Sequence, residues 1–307
     1  MSLQLVAVVV AVAVLDRLVG EPPTRVHPVV WFGRLVEAID RSWSHPKAVG
    51  ALAAVGLPLV AAAVAWGVVV GAEAIHPVAG VAVAVFVLFS STSHRLLVET
   101  ARAVIALSES DLVRAREELL ALAGRDAGEL SPELVRSAAV ESAAENLSDG
   151  LVAPLAAFGL AAVVSSVAGW PALAAAAAAA AWVKAVNTMD SMVGYRSKPV
   201  GWGPARLDDL VMWLPARLTA VCISAAAASP DPVLSGRRWA RVPSSPNAGW
   251  PMATVAAALQ VKLEKPDSYT LNAVASLPTQ REAERGVGLV DRAGWLAVGL
   301  TVVVVGV

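Results

Sequence analysis

Uncharged, apolar residues run almost without interruption over 3–15, 48–71, 78–93, 151–183 and 293–307. Polar stretches separate these runs. A helix needs about 20 mostly apolar residues to cross a bilayer. The 33-residue run at 151–183 is broken by Gly169-Trp170-Pro171, so it reads as two antiparallel spans. The pattern predicts six spans, at about 3–19, 48–71, 77–93, 151–168, 171–189 and 293–307. The segment 218–230 is apolar but too short to cross and reads as a half-span or a buried helix. Between the spans, 29–43 carries Arg34, Glu37 and Arg41 at helical spacing. Ser131-Pro132 opens a further helix, with Ser as N-cap and Pro at its first position. The fold class predicted is all-α: a polytopic integral membrane helical bundle. It forms a single membrane-embedded domain over 1–307, with cytoplasmic helical segments at 94–150 and 190–292.

Composition sharpens the membrane assignment. Of 307 residues 57% are apolar and 16% charged, where a soluble domain carries about 25% charged residues. Mean hydropathy is +0.63. A formal net charge of −1 and the lack of a basic tail argue against a nucleic-acid partner. Cys222 is the sole cysteine, which excludes a disulfide frame and a Cys-based metal site. No Lys or Arg precedes the first apolar run, so it is expected to be a retained span and not a cleaved signal. Lys and Arg number five in 16–47, six in 94–150 and five in 184–217, against none in the turns at 72–77 and 169–171. The positive-inside rule therefore puts the polar segments on the cytoplasmic face.

Chemistry-bearing side chains gather at both mouths of the 151–183 hairpin. Glu141, Glu145 and Asp149 are spaced i, i+4, i+8 and share one face of an uninterrupted helix, with no basic partner among them. Asn187, Asp190 and Ser191 share a face on the other arm. A solvated helix face and a polar helix end capped by Gly194 are the plain alternatives. Ionisable groups beside membrane-length apolar runs are costly, however, and that favours a functional reading. Carboxylates so placed suit magnesium, which joins one or two of them to substrate phosphates. Arg196, Lys198 and Arg206 can hold phosphate or carboxylate oxygens, or simply anchor the chain at the cytoplasmic face. Of the adjacent Asp208 and Asp209, one can face the site while the other pairs with Arg206. His27 is the one histidine within a motif-like stretch. No Walker loop, dinucleotide fingerprint, zincin or serine-hydrolase motif is present.

These residues carry a resemblance. The segments Leu15-Asp16-Arg-Leu-Val-Gly20-Glu21-Pro22-Pro23, His27-Pro28, Gly124-Arg125-Asp126, Glu141 to Gly150, Asn187 to Tyr195, Arg206-Leu-Asp208-Asp209, Pro215-Ala-Arg217 and Ser245 to Pro251 follow one another along nearly the whole chain. In this order they resemble the adenosylcobinamide-phosphate synthase family, the membrane-bound CbiB/CobD proteins of cobalamin biosynthesis. The resemblance implies an ATP-dependent carbon–nitrogen ligase. Its substrates would be adenosylcobyric acid and (R)-1-amino-2-propanol or its O-phosphate, with magnesium as cofactor and ATP as co-substrate. Catalytic roles fall on Glu141, Glu145, Asp149, Asp190, Asp208 and Asp209, the first four as metal ligands. Substrate-binding roles fall on His27, Asn146, Asn187, Arg196, Lys198, Arg206, Arg217, Asn247 and Trp250. The implied setting is the cytoplasmic (inner) membrane, with the active site facing the cytoplasm. The lipid bilayer is one partner; a second copy of the chain or other membrane enzymes of the pathway are others. Two departures stand out: Glu21 occupies an expected Asp position, and 262–272 lacks the glycines of that region in the family.

Two other readings compete. An intramembrane prenyltransferase also sets magnesium-binding Asp motifs at helix ends, but here Gly194 stands where its downstream Asp belongs. A transporter or assembly subunit would carry its charges at mid-span, whereas these cluster at one end of the spans.

Overall fold

The computed structural model describes residues 2–123, 128–195 and 197–307. Gly124-Arg125-Asp126, one of the family-like segments, and Arg196 lie outside the described residues. Helices dominate: α1 (Ser2–Val19), α2 (Pro28–Glu37), α3 (Pro46–Ile75), α4 (Pro77–Ser91), α5 (Arg95–Ser110), α6 (Leu112–Ala123), α7 (Pro132–Leu147), α8 (Ala153–Ala168), α9 (Ala172–Val193), α10 (Trp202–Val211), α11 (Trp213–Ala226), α12 (Asp231–Gly236), α13 (Gly249–Leu259) and α14 (Gln280–Gly306). One short antiparallel hairpin, β1 (Leu263–Lys265) and β2 (Tyr269–Leu271), pairs Leu263 with Leu271.

Six helical stretches are long and apolar enough to cross a membrane: Ser2–Val19, Pro46–Ile75, Pro77–Ser110, Pro132–Ala168, Ala172–Val193 and Gln280–Gly306. The chain is a multi-pass membrane protein. The six match the expected spans in number and order, but most are longer than their apolar runs. The last begins at Gln280, not near 293, because its polar first turns stay helical. The segment expected to be a half-span lies in α11, which with Pro199–Val211 makes up a seventh span when the two are counted together. The helix expected over 29–43 stops at Glu37.

The chain forms two compact units. The first comprises Met1–Ser93, Asp149–Met212 and Val298–Val307. Its central helix is α9, which packs against α2, α3, α4, α8 and α10. Nine of the first ten residues of α9 are alanine, and small side chains let backbones approach closely. Farther along, Ala185, Met189 and Val193 of α9 meet Phe32 and Val36 of α2 in a buried cluster. The α8–α9 turn forms as the sequence predicts. Gly169 takes a left-handed conformation at φ +73, its N–H and that of Trp170 satisfy the Ser165 carbonyl, and Pro171 starts α9.

The second unit comprises His94–Ser148 and Trp213–Ala297. Helix α7 is largely buried, packing against α5, α6, α13 and β1. Ser131 caps it by accepting from the Leu134 N–H at 3.3 Å, with Pro132 at the first position. Buried Arg136 of α7 reaches the Pro278 carbonyl at 2.9 Å and Glu109 at 2.7 Å.

Candidate active site

Glu141 and Glu145 belong to the second unit and Asp149 to the first. Residues Ser148–Val152 form a π-helical turn between α7 and α8, and such wide turns recur at functional sites. Asp149 lies on this turn, in the first unit. There its carboxylate accepts from the Asn187 side-chain amide at 3.1 Å. Ser191 is tied down by donating to the Asn187 carbonyl at 2.9 Å, one turn back on α9. That fixes the polar face of α9 as the sequence predicts.

Asp208 of α10 comes to the same place. It lies beside the Asn187 amide and in the fields of Asp149, Asp190 and Asp209. Among the described residues its Oδ1 is buried without a hydrogen-bond partner. The adjacent pair thus divides its labour as its geometry requires: Asp208 turns inward, while Asp209 sits 4.0 Å from the exposed Arg206. Gly194 caps α9, but not in the left-handed form typical of a helix-terminating glycine, since its φ is −68. Its reason is space. A Cβ at 194 would run into the Asp190 carboxylate.

Lys184 of α9 is a residue that pattern reading passed over. It lies in the fields of Asp149 and Glu21, and it acts in turn on His27. The signal was available: Lys184 is the first charged residue after 33 uncharged ones. His27 itself, expected to touch substrate, serves α2 as N-cap. Its Nδ1 accepts from the Val29 N–H at 3.3 Å, and its Nε2 lies 3.9 Å from Glu21. Lys198 is likewise engaged, with Asp40 at 2.6 Å and the Met192 carbonyl at 3.2 Å.

The remaining predicted residues belong to the second unit. Glu141 is 2% exposed; it accepts from Ser137 at 2.9 Å and from the Tyr269 hydroxyl at 2.8 Å. Tyr269 stands on the hairpin that fills 262–272, where the expected glycines are missing. The Glu264 N–H donates to Ser137 at 2.8 Å and docks the hairpin on α7. Glu145 is half-buried, and Asn146 donates to the Leu122 carbonyl at 3.1 Å. Arg217, Asn247 and Trp250 do converge. The Arg217 guanidinium donates to the Asn247 side-chain carbonyl at 2.7 Å and lies over the rings of Trp213 and Trp250, at 4.6 and 4.9 Å. Such stacking suits a guanidinium.

The family model described as CobD/Cbib protein matches residues 8–295. The chain is similar to the "Probable cobalamin biosynthesis protein CobD" of Methanothrix thermoacetophila, with 34% identity over 305 residues, 95% of this chain and 94% of that one. It is similar to the "Cobalamin biosynthesis protein CobD" of Klebsiella pneumoniae, with 38% identity covering 83% of this chain and 81% of that one. It is also similar to the "Cobalamin biosynthesis protein CbiB" of Salmonella typhi, with 37% identity covering 91% and 88%. No solved structure matches.

Proposed function

The chain belongs to the CobD/CbiB family and acts in cobalamin biosynthesis, and we propose that it is the amide-forming synthase of that pathway. In this reading it joins a carboxylate of adenosylcobyric acid to (R)-1-amino-2-propanol or its O-phosphate at the expense of ATP. The new C–N bond forms as the amine nitrogen displaces the phosphate that activates the carboxyl. The observation that carries the site assignment is the meeting of Asp149, Asn187 and Asp208 from three separate segments of the first unit. Family membership weighs against the prenyltransferase and transporter readings.

The ammonium form of the amine must lose a proton before it can attack. The buried, unpartnered Oδ1 of Asp208 suits it as the acceptor. Asn187 orients the Asp149 carboxylate through its amide. Among the described residues no group of three His, Cys, Asp or Glu is placed to hold a metal ion. Magnesium does not require one, because it binds through one or two carboxylates together with phosphate and water. Asp149 and Asp190 would hold it, and it would offset the charge of the ATP phosphates. Arg206, exposed at the end of this cluster, would hold phosphate or propionate oxygens. We place the active site on the cytoplasmic face of the inner membrane, where the Lys and Arg bias points and ATP is available.

The test is a purified, detergent-solubilised protein given adenosylcobyric acid, the amine or its phosphate, ATP and magnesium. Mass spectrometry of the corrin should show the amide only when nucleotide and magnesium are both present. Amide formed without nucleotide would refute the ligase mechanism.

A further inference from the structure

A groove of about 360 Å³ lies in the first unit among α2, α3, α4 and α9. Its volume is at the small end for ligand pockets, which run from about 300 to 1,000 Å³, and far too small for a corrin macrocycle. Its walls are apolar and include Trp31, Val60, Val64 and Phe86, all of them exposed. Three of the four helices are membrane-spanning, so the exposed wall opens sideways onto hydrocarbon, not onto water. Lys184 is the one charged residue on the wall. The lining hydroxyls of Ser90, Ser91 and Thr188 all donate to carbonyls of their own helices. They leave the Lys184 ammonium as the principal donor for a ligand. No hydrogen bond holds that ammonium among the described residues; only the fields of Asp149 and Glu21 act on it.

We propose that this groove is a binding site for one anionic phospholipid, with an acyl chain along α3 and α4 and the headgroup phosphate drawn to Lys184. A wall continuous with the lipid-facing surface selects a bilayer lipid over a water-soluble ligand. A single half-buried cation on an apolar wall selects an anionic headgroup over a zwitterionic one, because the ammonium gains most from a full negative charge. The site is independent of the synthase reading and is assayed without turnover.

Native mass spectrometry of the full chain, released from detergent in the presence of dioleoyl phosphatidylglycerol or dioleoyl phosphatidylcholine, tests the idea. Wild type should retain one phosphatidylglycerol about tenfold more strongly than phosphatidylcholine, the effect of one charge-assisted contact. Lys184→Met should erase that preference and leave phosphatidylcholine retention unchanged. Ala61→Phe, which fills the groove, should lose both. Glycerol 3-phosphate should not compete, because it lacks a chain. An undiminished preference in Lys184→Met, full retention in Ala61→Phe, or competition by glycerol 3-phosphate would each overturn the proposal.

Discussion

Asn187 donates its side-chain amide to the Asp149 carboxylate at 3.1 Å, across 38 positions of sequence. The contact joins the π-helical turn to the polar face of α9. Replacing the amide by an isosteric apolar group, Asn187→Leu, leaves a buried carboxylate without its donor, at a cost of about 1–3 kcal/mol. We expect a lower unfolding temperature in detergent and amide formation reduced by about tenfold or more. Wild-type rates in this variant would remove the contact from the mechanism.

Neutralising a carboxylate that acts only in the transition state lowers turnover by orders of magnitude. Asp190→Asn and Glu145→Gln are both expected to do so while inserting normally, read by the corrin mass assay alongside membrane yield. Glu129→Gln changes an exposed residue outside the motifs and should keep near-full activity. Should Asp190→Asn and Glu145→Gln also keep it, those site roles fail even though the family stands.

Tyr269→Phe isolates the hairpin's grip on Glu141. The hydroxyl donates to a buried carboxylate at 2.8 Å, and such bonds contribute about 1.5–3 kcal/mol. A drop in chemical-denaturation midpoint of that size is expected. No change would mean that Glu141 is satisfied without the Tyr269 hydroxyl.

His27 links stability to pH. Burial lowers its pKa from the usual 6.5; Glu21 opposes the shift and Lys184 adds to it. On acidification the unfolded chain therefore takes up the proton first. The stabilisation is present above 6.5 and is lost as pH falls from there through the lower folded value. Melting curves from about pH 7.5 to 5.5 should show wild type losing more stability than His27→Asn, which keeps a capping side chain and does not titrate. Parallel curves for the two proteins would exclude His27 as the titrating group.

Orientation is open to labelling. Glu117 on α6 is exposed, whereas Ser108 is buried beneath Arg136 and would report poorly. A cysteine at Glu117 should react in inverted vesicles and not from outside whole cells. The reverse pattern would invert the assigned topology.

The spans were legible because runs of Val, Ala and Leu leave no other place for the chain than lipid. The Gly169 turn and the Ser131 cap were legible for local reasons, since φ and hydrogen-bond geometry there depend on two or three residues. The polar face of Asn187, Asp190 and Ser191 followed from helical spacing alone. What sequence could not show was the π turn at Ser148–Val152, a hydrogen-bond choice that no residue type dictates. Nor did spacing reveal that Glu141 meets Tyr269, because nothing in 262–272 reads as a hairpin when its glycines are absent. Lys184 was hidden by its position: one lysine closing an apolar run looks like the end of a span.

The π turn also sets a limit on how this protein can change by insertion and deletion. A surface loop tolerates the loss of one residue easily. Losing Gly150 would let Ser148–Val152 relax into regular α-helix, the lower-energy form of the same stretch, and would swing Asp149 by about 100° around the axis of α8. Helix, hydropathy and membrane insertion would all survive. The carboxylate would point away from Asn187, and the contact on which the proposed site rests would be lost. The Asp149–Asn187 contact therefore depends on the length of 148–152 as well as on the residues within it.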